Sequence, residues 1–298
     1  MKLNITKIRK RYFGDSSKMK FLFAKYAQQP VDENAILFES FHGKNISDSP
    51  LHMLQELMRQ GRAQNFTIYY STADAAAHQE VVDALKLPVT LVDILSEDYA
   101  RILATCKYLV NNSSFPAWFI RRDEQRYIQT WHGTPLKTLG KCMRLGIESM
   151  YNVQHNFTQA NVITFPNDFT KEVIMRDYNL ELLFCNKAAM LGYPRNDVFM
   201  REDGSVVRTR CGLEGKTCFA YMPTWRGRSN HSANIEGYAQ DLDRILRDID
   251  ASLSDDQLFF VNLHSMVAAR LNCRVTNMSS RFPQARTITS SSTPWMCS

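Results

Sequence analysis

Short apolar runs alternate with helical patterns over most of this chain, and that alternation restricts its fold more than any other feature. AILFES (35–40), FTIYYS (66–71), PVTLVDI (88–94), KYLVNN (107–112), RYIQTW (126–131) and NVITF (161–165) have the length and the β-branched and aromatic content of strands. Between them, LHMLQELMRQ (51–60), AAAHQEVVDALK (75–86) and SEDYARILATC (96–106) repeat apolar residues at three and four positions, as one-sided helices do. Strands alternating with helices make βαβ units and a parallel sheet. A second series follows the polar stretch 201–216: TCFAYMPTW (217–225) reads as a strand, EGYAQDLDRILRDID (236–250) as a helix and QLFFVNLH (257–264) as a strand. The fold class is therefore α/β, with a basic segment at 1–30, a Rossmann-like domain at 31–205 and an incomplete one at 206–298.

At 298 residues the chain can bury two cores of ordinary size. No run of about 18 apolar residues is present, and the N-terminus has no signal-like apolar stretch, so a cytoplasmic location is expected. The seven cysteines form no CxxC pair and read as reduced thiols, with neither a metal site nor a disulfide framework. Charge is uneven: residues 1–30 carry +7 and the rest of the chain about −1, with Ile5, Ile8, Tyr12, Phe13, Phe21, Leu22, Phe23 and Tyr26 interleaved in that first segment. Such a segment suits an anionic membrane surface, where each basic residue contributes roughly 1 kcal/mol. A solvated tail or a packing helix is the other reading. No nucleic-acid partner is expected, because no binding motif accompanies the charge.

Four stretches put His, Gly, Pro, Thr or Arg just after a strand: TWHGTPLK (130–137), LGYPRNDVF (191–199), YMPTWRGRSN (221–230) and VNLHSMV (261–267). Ligands of parallel α/β sheets bind beyond the carboxyl ends of the strands, where helix N-termini favour anions. Thr134 and Pro135 read as N-cap and first helical residue, which places His132 and Gly133 on a tight strand-to-helix turn. His132 and His264 can exchange protons near neutral pH, while Lys137, Arg195 and Arg226 can hold phosphate oxygens. Arg195, Asn196 and Asp197 are equally good turn residues ahead of a helix starting near Asp197. Trp225 reads as packing, and Gly43 and Lys44 are minor candidates for a phosphate turn. HExxH, GxSxG, GxGxxG and P-loop spacings are all absent.

FESFHGKNISDSP, YLVNNSSFPAWFIRRDEQRYIQTWHGTPLKTLG, LGYPRNDVF, YMPTWRG and FVNLHSMV, in that order, resemble the signatures of the CDP-glycerol glycerophosphotransferases of teichoic acid synthesis, over residues 35 to 283. The resemblance implies a GT-B architecture of two Rossmann-like domains. It implies transfer of glycerol phosphate from CDP-glycerol to a polyol-phosphate or lipid-linked acceptor, with release of CMP and no cofactor or metal. His132 would be the general base, and His264 would stabilise charge on the leaving CMP. Gly133, Thr134, Lys137, Arg195, Asn196, Asp197, Thr224 and Arg226 would contact substrate. The basic N-terminus would then hold a peripheral enzyme at the inner membrane face. A nucleotide-sugar glycosyltransferase of GT-B type and a non-catalytic membrane-surface remnant are the alternatives.

ARTITSSSTPWMCS (285–298) departs from the family, which continues with an aromatic-acidic segment after its second histidine. Codons for Trp295, Met296 and Cys297 read two bases later encode Asp-Val, consistent with a frameshift near Pro283 or Gln284. Loss of the second domain's remainder would be expected to impair activity.

Overall fold

The computed structural model describes residues 15–143, 148, 150–201, 204–221 and 235–261. They fall into two units, one up to Val198 and one from Phe199.

The first unit runs α1 (Asp15–Tyr26), β1 (Asp32–Glu39), α2 (Asp48–Arg59), β2 (Thr67–Thr72), α3 (Ala75–Ala84), β3 (Thr90–Asp93), α4 (Glu97–Thr105), β4 (Cys106–Asn111), β5 (Arg126–Gln129), α5 (Tyr151–Gln159), β6 (Val162–Phe165), α6 (Asp168–Asp177) and β7 (Lys187–Met190), then a 3₁₀ turn, Pro194–Asp197. The seven strands form one sheet in the order β3-β2-β1-β4-β5-β6-β7, and every pair is parallel. From β1 the chain winds outward to β3, then returns to place β4 on β1's other side. The crevice between β1 and β4 is thus the switch point of a doubly wound sheet, where such folds bind ligands.

Side-chain alternation along β1 assigns its two faces. Leu37 joins Leu109, Tyr127 and Ile163 in a core covered by α1, α4, α5 and α6 through Phe23, Leu103, Phe157 and Ile174. Ile36 and Phe38 face the other way, with Ile68, Tyr70 and Val110, under Leu54 of α2 and Val81 of α3. Three helices begin on side-chain caps: Asp74 accepts from the Ala77 N–H at 3.0 Å, Ser96 from Tyr99 at 3.0 Å and Asn167 from Thr170 at 2.8 Å. Each such cap contributes about 1 kcal/mol.

In the basic segment, α1 is a packing helix. Met19, Leu22 and Phe23 are buried, Phe23 meets the rings of Trp118 and Phe119 at 5.5 and 6.0 Å, and the Tyr26 hydroxyl donates to Glu97 of α4 at 2.5 Å. Lys18, Lys20, Phe21 and Lys25 face outward. Residues 1–14 lie outside the described residues.

Two local expectations change. KAAM is strand β7, which its small residues hide: an edge strand with a single buried residue needs little apolar surface. Conversely, no helix starts at Thr134 and Pro135. Thr134 Oγ1 accepts a hydrogen bond from Thr170 Oγ1 at 3.2 Å, Leu139 packs on the core, and Gly140 (φ +52) lies so close to α6 that a Cβ there would sit 2.1 Å from the Asp177 carbonyl oxygen. Tertiary contact thus draws the segment across the end of α6 instead of letting it coil.

In the second unit, α7 (Val198–Arg201) spans the division and α8 (Ser205–Arg210) follows; β8 (Thr217–Tyr221), α9 (Ile235–Ser252) and β9 (Gln257–Val261) form a parallel βαβ unit. Phe219 and Tyr221 on β8 are exposed. Cys106, Cys142, Cys185 and Cys218 are free thiols, but Cys211 is disulfide-bonded, contrary to the expectation that all were reduced. No described helix is long and apolar enough to cross a membrane.

Candidate active site at the switch point

β1 ends in a turn that L-residues rarely adopt: Phe41, His42 and Gly43 have φ of 48, 57 and 74°. Left-handed conformation costs roughly 1–2 kcal/mol per non-glycine residue, so the turn persists only because its surroundings hold it. Asn112 Oδ1 accepts from the Phe41 N–H at 2.8 Å, Ser113 Oγ from the His42 N–H at 3.1 Å and the Ser40 carbonyl from the Gly43 N–H at 2.9 Å. A Cβ on Gly43 would lie 2.9 Å from Ala73 N and 3.0 Å from Thr72 C. Gly43→Ala is therefore expected to cost about 1–2 kcal/mol of stability; an unchanged urea midpoint would contradict this.

The residues after β4 are held in turn. Asn111 Oδ1 accepts from both the N–H and the hydroxyl of Ser113, at 2.6 and 3.0 Å. Its Nδ2 donates to Glu39 Oε1 at 3.2 Å, and Glu39 Oε2 accepts from Ser71 and Tyr99 hydroxyls, each at 2.8 Å. Glu39 is buried, and desolvation, opposed by these three bonds, raises its pKa from 4.5 to about 7.

His132 reaches this segment from the end of β5. The Thr130 N–H donates to the Asn111 carbonyl at 2.9 Å, Trp131 takes a left-handed φ of 52°, and His132 Nδ1 lies 2.6 Å from the Asn112 carbonyl oxygen. Because a carbonyl only accepts, Nδ1 carries the proton, and Nε2 of the neutral ring keeps its lone pair. The ring packs on Trp131, with centroids 4.1 Å apart, and on Phe41 at 5.6 Å. Burial lowers its pKa below 6.5; the Asn112 bond and Asp48 oppose that, and Arg195 adds to it. Among the described residues nothing bonds Nε2, and a neutral imidazole with a fixed tautomer and a free lone pair is what a general base requires at neutral pH.

Arg195, in the 3₁₀ turn, braces this loop. Its Nη1 donates to Asp48 Oδ2 at 2.6 Å and to the His132 carbonyl at 2.8 Å, and the guanidinium lies 4.4 Å from the Tyr193 ring centroid. The end of β7, the start of α2 and the His132 loop are joined through it. Gly133 is half-buried, and a Cβ there would meet nothing within 4 Å. Lys137, Asn196 and Asp197 are exposed; Thr224, Arg226 and His264 lie outside the described residues. Among the described residues, no three His, Cys, Asp or Glu side chains gather as a metal site would need. His42, Asp48, Asn112 and Glu39 are the participants that residue chemistry alone did not single out. Their signal was position, since only the ends of β1 and β4 meet at the switch.

The class so defined is a doubly wound, GT-B-like α/β protein with a part-buried imidazole, held through its Nδ1, at the switch point. The family model for CDP-glycerol:poly(glycerophosphate) glycerophosphotransferase matches residues 21–285, and the chain belongs to that family. It is 27% identical over 277 residues to the teichoic acid poly(glycerol phosphate) polymerase of Bacillus subtilis (strain 168), covering 89% of this chain and 35% of that protein. To the teichoic acid glycerol-phosphate transferase of Staphylococcus aureus (strain NCTC 8325 / PS 47) it is 26% identical, covering 81% and 62%. The chain thus spans about a third of the first relative's length and under two thirds of the second's. A solved structure of the wall teichoic acid polymerase TagF superposes with a TM-score of 0.72 at 22% identity, over 95% of this chain and 70% of that one, a likeness of fold.

Proposed function

We propose that this chain transfers glycerol phosphate from CDP-glycerol to a hydroxyl of a polyol-phosphate or lipid-linked acceptor, releasing CMP. The observation that carries the reading is His132, neutral, held by Nδ1 on the Asn112 carbonyl and open at Nε2, at the switch point of a family member. His132 Nε2 takes the acceptor hydroxyl's proton as its oxygen attacks the β-phosphorus. The bond from that phosphorus to the bridging oxygen breaks, and its electron pair leaves on CMP. Stabilisation of that charge is assigned to His264, and further substrate contacts to Gly133, Thr134, Lys137, Asn196, Asp197, Thr224 and Arg226. Arg195 supports the site through the His132 carbonyl. No cofactor is assigned a role. The outward Lys18, Lys20, Phe21 and Lys25 of α1 suit a peripheral position on the anionic inner face of the cell membrane.

The test is CMP release from CDP-glycerol by the 298-residue chain on vesicles carrying a glycerol-phosphate-ended lipid. Acceptor-dependent release is expected. Turnover of a UDP-sugar in its place would point to a glycosyltransferase, and no turnover of either donor would sink the catalytic reading for this chain.

A further inference from the structure

We propose that His42 and Lys44 form, beside His132, a subsite for the phosphate group of the acceptor, which seats that molecule by its anionic end while its hydroxyl meets the base. The inference deepens the glycerophosphotransferase reading and rests on it for the acceptor's chemistry.

Three observations carry it. First, His42 repeats the anchoring of His132. Its Nδ1 lies 3.0 Å from the Ser114 carbonyl, two residues beyond the carbonyl that holds His132, so Nδ1 is the protonated nitrogen and Nε2 is left for a ligand. Among the described residues nothing bonds that Nε2, and His42 as a residue is exposed. Two imidazoles from different loops are thus fixed on one short stretch, 112–114, at the crevice of the sheet.

Second, the charges around them favour an anion. Burial is the main reason that both imidazoliums are disfavoured, against the Ser114 and Asn112 carbonyls that hold them; Lys44 and His132 add to it at His42, and Arg195 adds to it at His132. Asp48 is the opposing carboxylate, and it is tied to Arg195 at 2.6 Å. His78, behind the turn, is engaged by Asp74 and Lys44 carbonyls at 2.8 and 3.3 Å. An arriving phosphate would reverse the electrostatic sign at His42, recruiting its proton and adding a charge-assisted hydrogen bond.

Third, the turn is strained and polar groups beneath it are incompletely satisfied. Phe41 and His42 are both left-handed, and Asn112 is fully buried with Oδ1 on the Phe41 N–H and no partner for Nδ2 among the described residues. Strain and unsatisfied donors concentrate where a ligand completes the structure.

The experiment follows the imidazole resonances of the 298-residue chain between pH 5 and 8, with His42 assigned by its loss in His42→Gln. Glycerol 3-phosphate is expected to raise the His42 pKa by roughly half a pH unit or more, and glycerol to leave it unmoved. Lys44→Ala, at an exposed position, should weaken glycerol 3-phosphate binding severalfold while the His132 resonance keeps its titration. No shift with the ester, or an equal shift with glycerol, overturns the subsite. CMP release by the wild-type chain is read separately: its absence counts against the transferase reading, while the titration still decides whether His42 binds phosphate.

Discussion

His132→Asn is expected to lower the proposed CMP release by about 10²–10⁴-fold, the usual loss when a positioned general base is removed. Asparagine keeps a side-chain N–H able to donate to the Asn112 carbonyl, which His132 Nδ1 approaches to 2.6 Å, so the loop retains its tie and the chain should still fold. What disappears is the Nε2 lone pair. Because burial lowers the His132 pKa below 6.5, the wild-type rate should show an acid limb whose midpoint lies below pH 6.5, as the ring takes up a proton. The variant should lack that acid limb. Activity of the asparagine variant within a few-fold of wild type would remove His132 from the chemistry.

Glu39→Gln should change how stability depends on pH. In the folded chain the carboxyl titrates near 7, against 4.5 ordinarily, because burial outweighs its bonds to Ser71, Tyr99 and Asn111. A raised pKa means that the folded state holds a proton which the unfolded state releases. Glu39's contribution is fully present below pH 4.5 and is lost as pH rises through 7, a change of roughly 3 kcal/mol. Glutamine has nearly the same shape and no such titration. Between pH 4 and pH 8 the variant should therefore gain about 3 kcal/mol on the wild type, read from urea unfolding at the two pH values. A constant difference between the two proteins would mean that Glu39 ionises normally in the fold.

The strands and their parallel sheet were legible because β1 to β6 are mostly short apolar runs bounded by turn residues, a pattern a buried parallel sheet leaves, while their order comes only from the fold. β7 was not, since Lys187, Ala188, Ala189 and Met190 form an edge strand with one buried position. His132 was legible from TWHGTPLK. Its tautomer was not, because it depends on the carbonyl of Asn112, twenty residues earlier and just past another strand. Thr134 and Pro135 have the chemistry of a helix start, yet the hydroxyl meets Thr170 and the chain is drawn toward Asp177. Local propensity there is weaker than packing. Arg195 read evenly as a phosphate ligand or a turn residue; the reach of its Nη1 to the His132 carbonyl and to Asp48 was not legible, since both partners lie far away in the sequence.

The bond from Arg195 to Asp48 spans 147 residues, which has a meaning for the order of folding. Closing so long a loop carries an entropic cost that local contacts do not, so this contact is expected to follow the local ones. A nascent chain can wind β1 to β4 and bury much of the first core while the base at His132 still lacks its brace. The lock arrives only when the 3₁₀ turn after the seventh strand docks on the start of α2. If His132 has the role proposed for it, a chain that ends before the 3₁₀ turn would carry the imidazole without this brace.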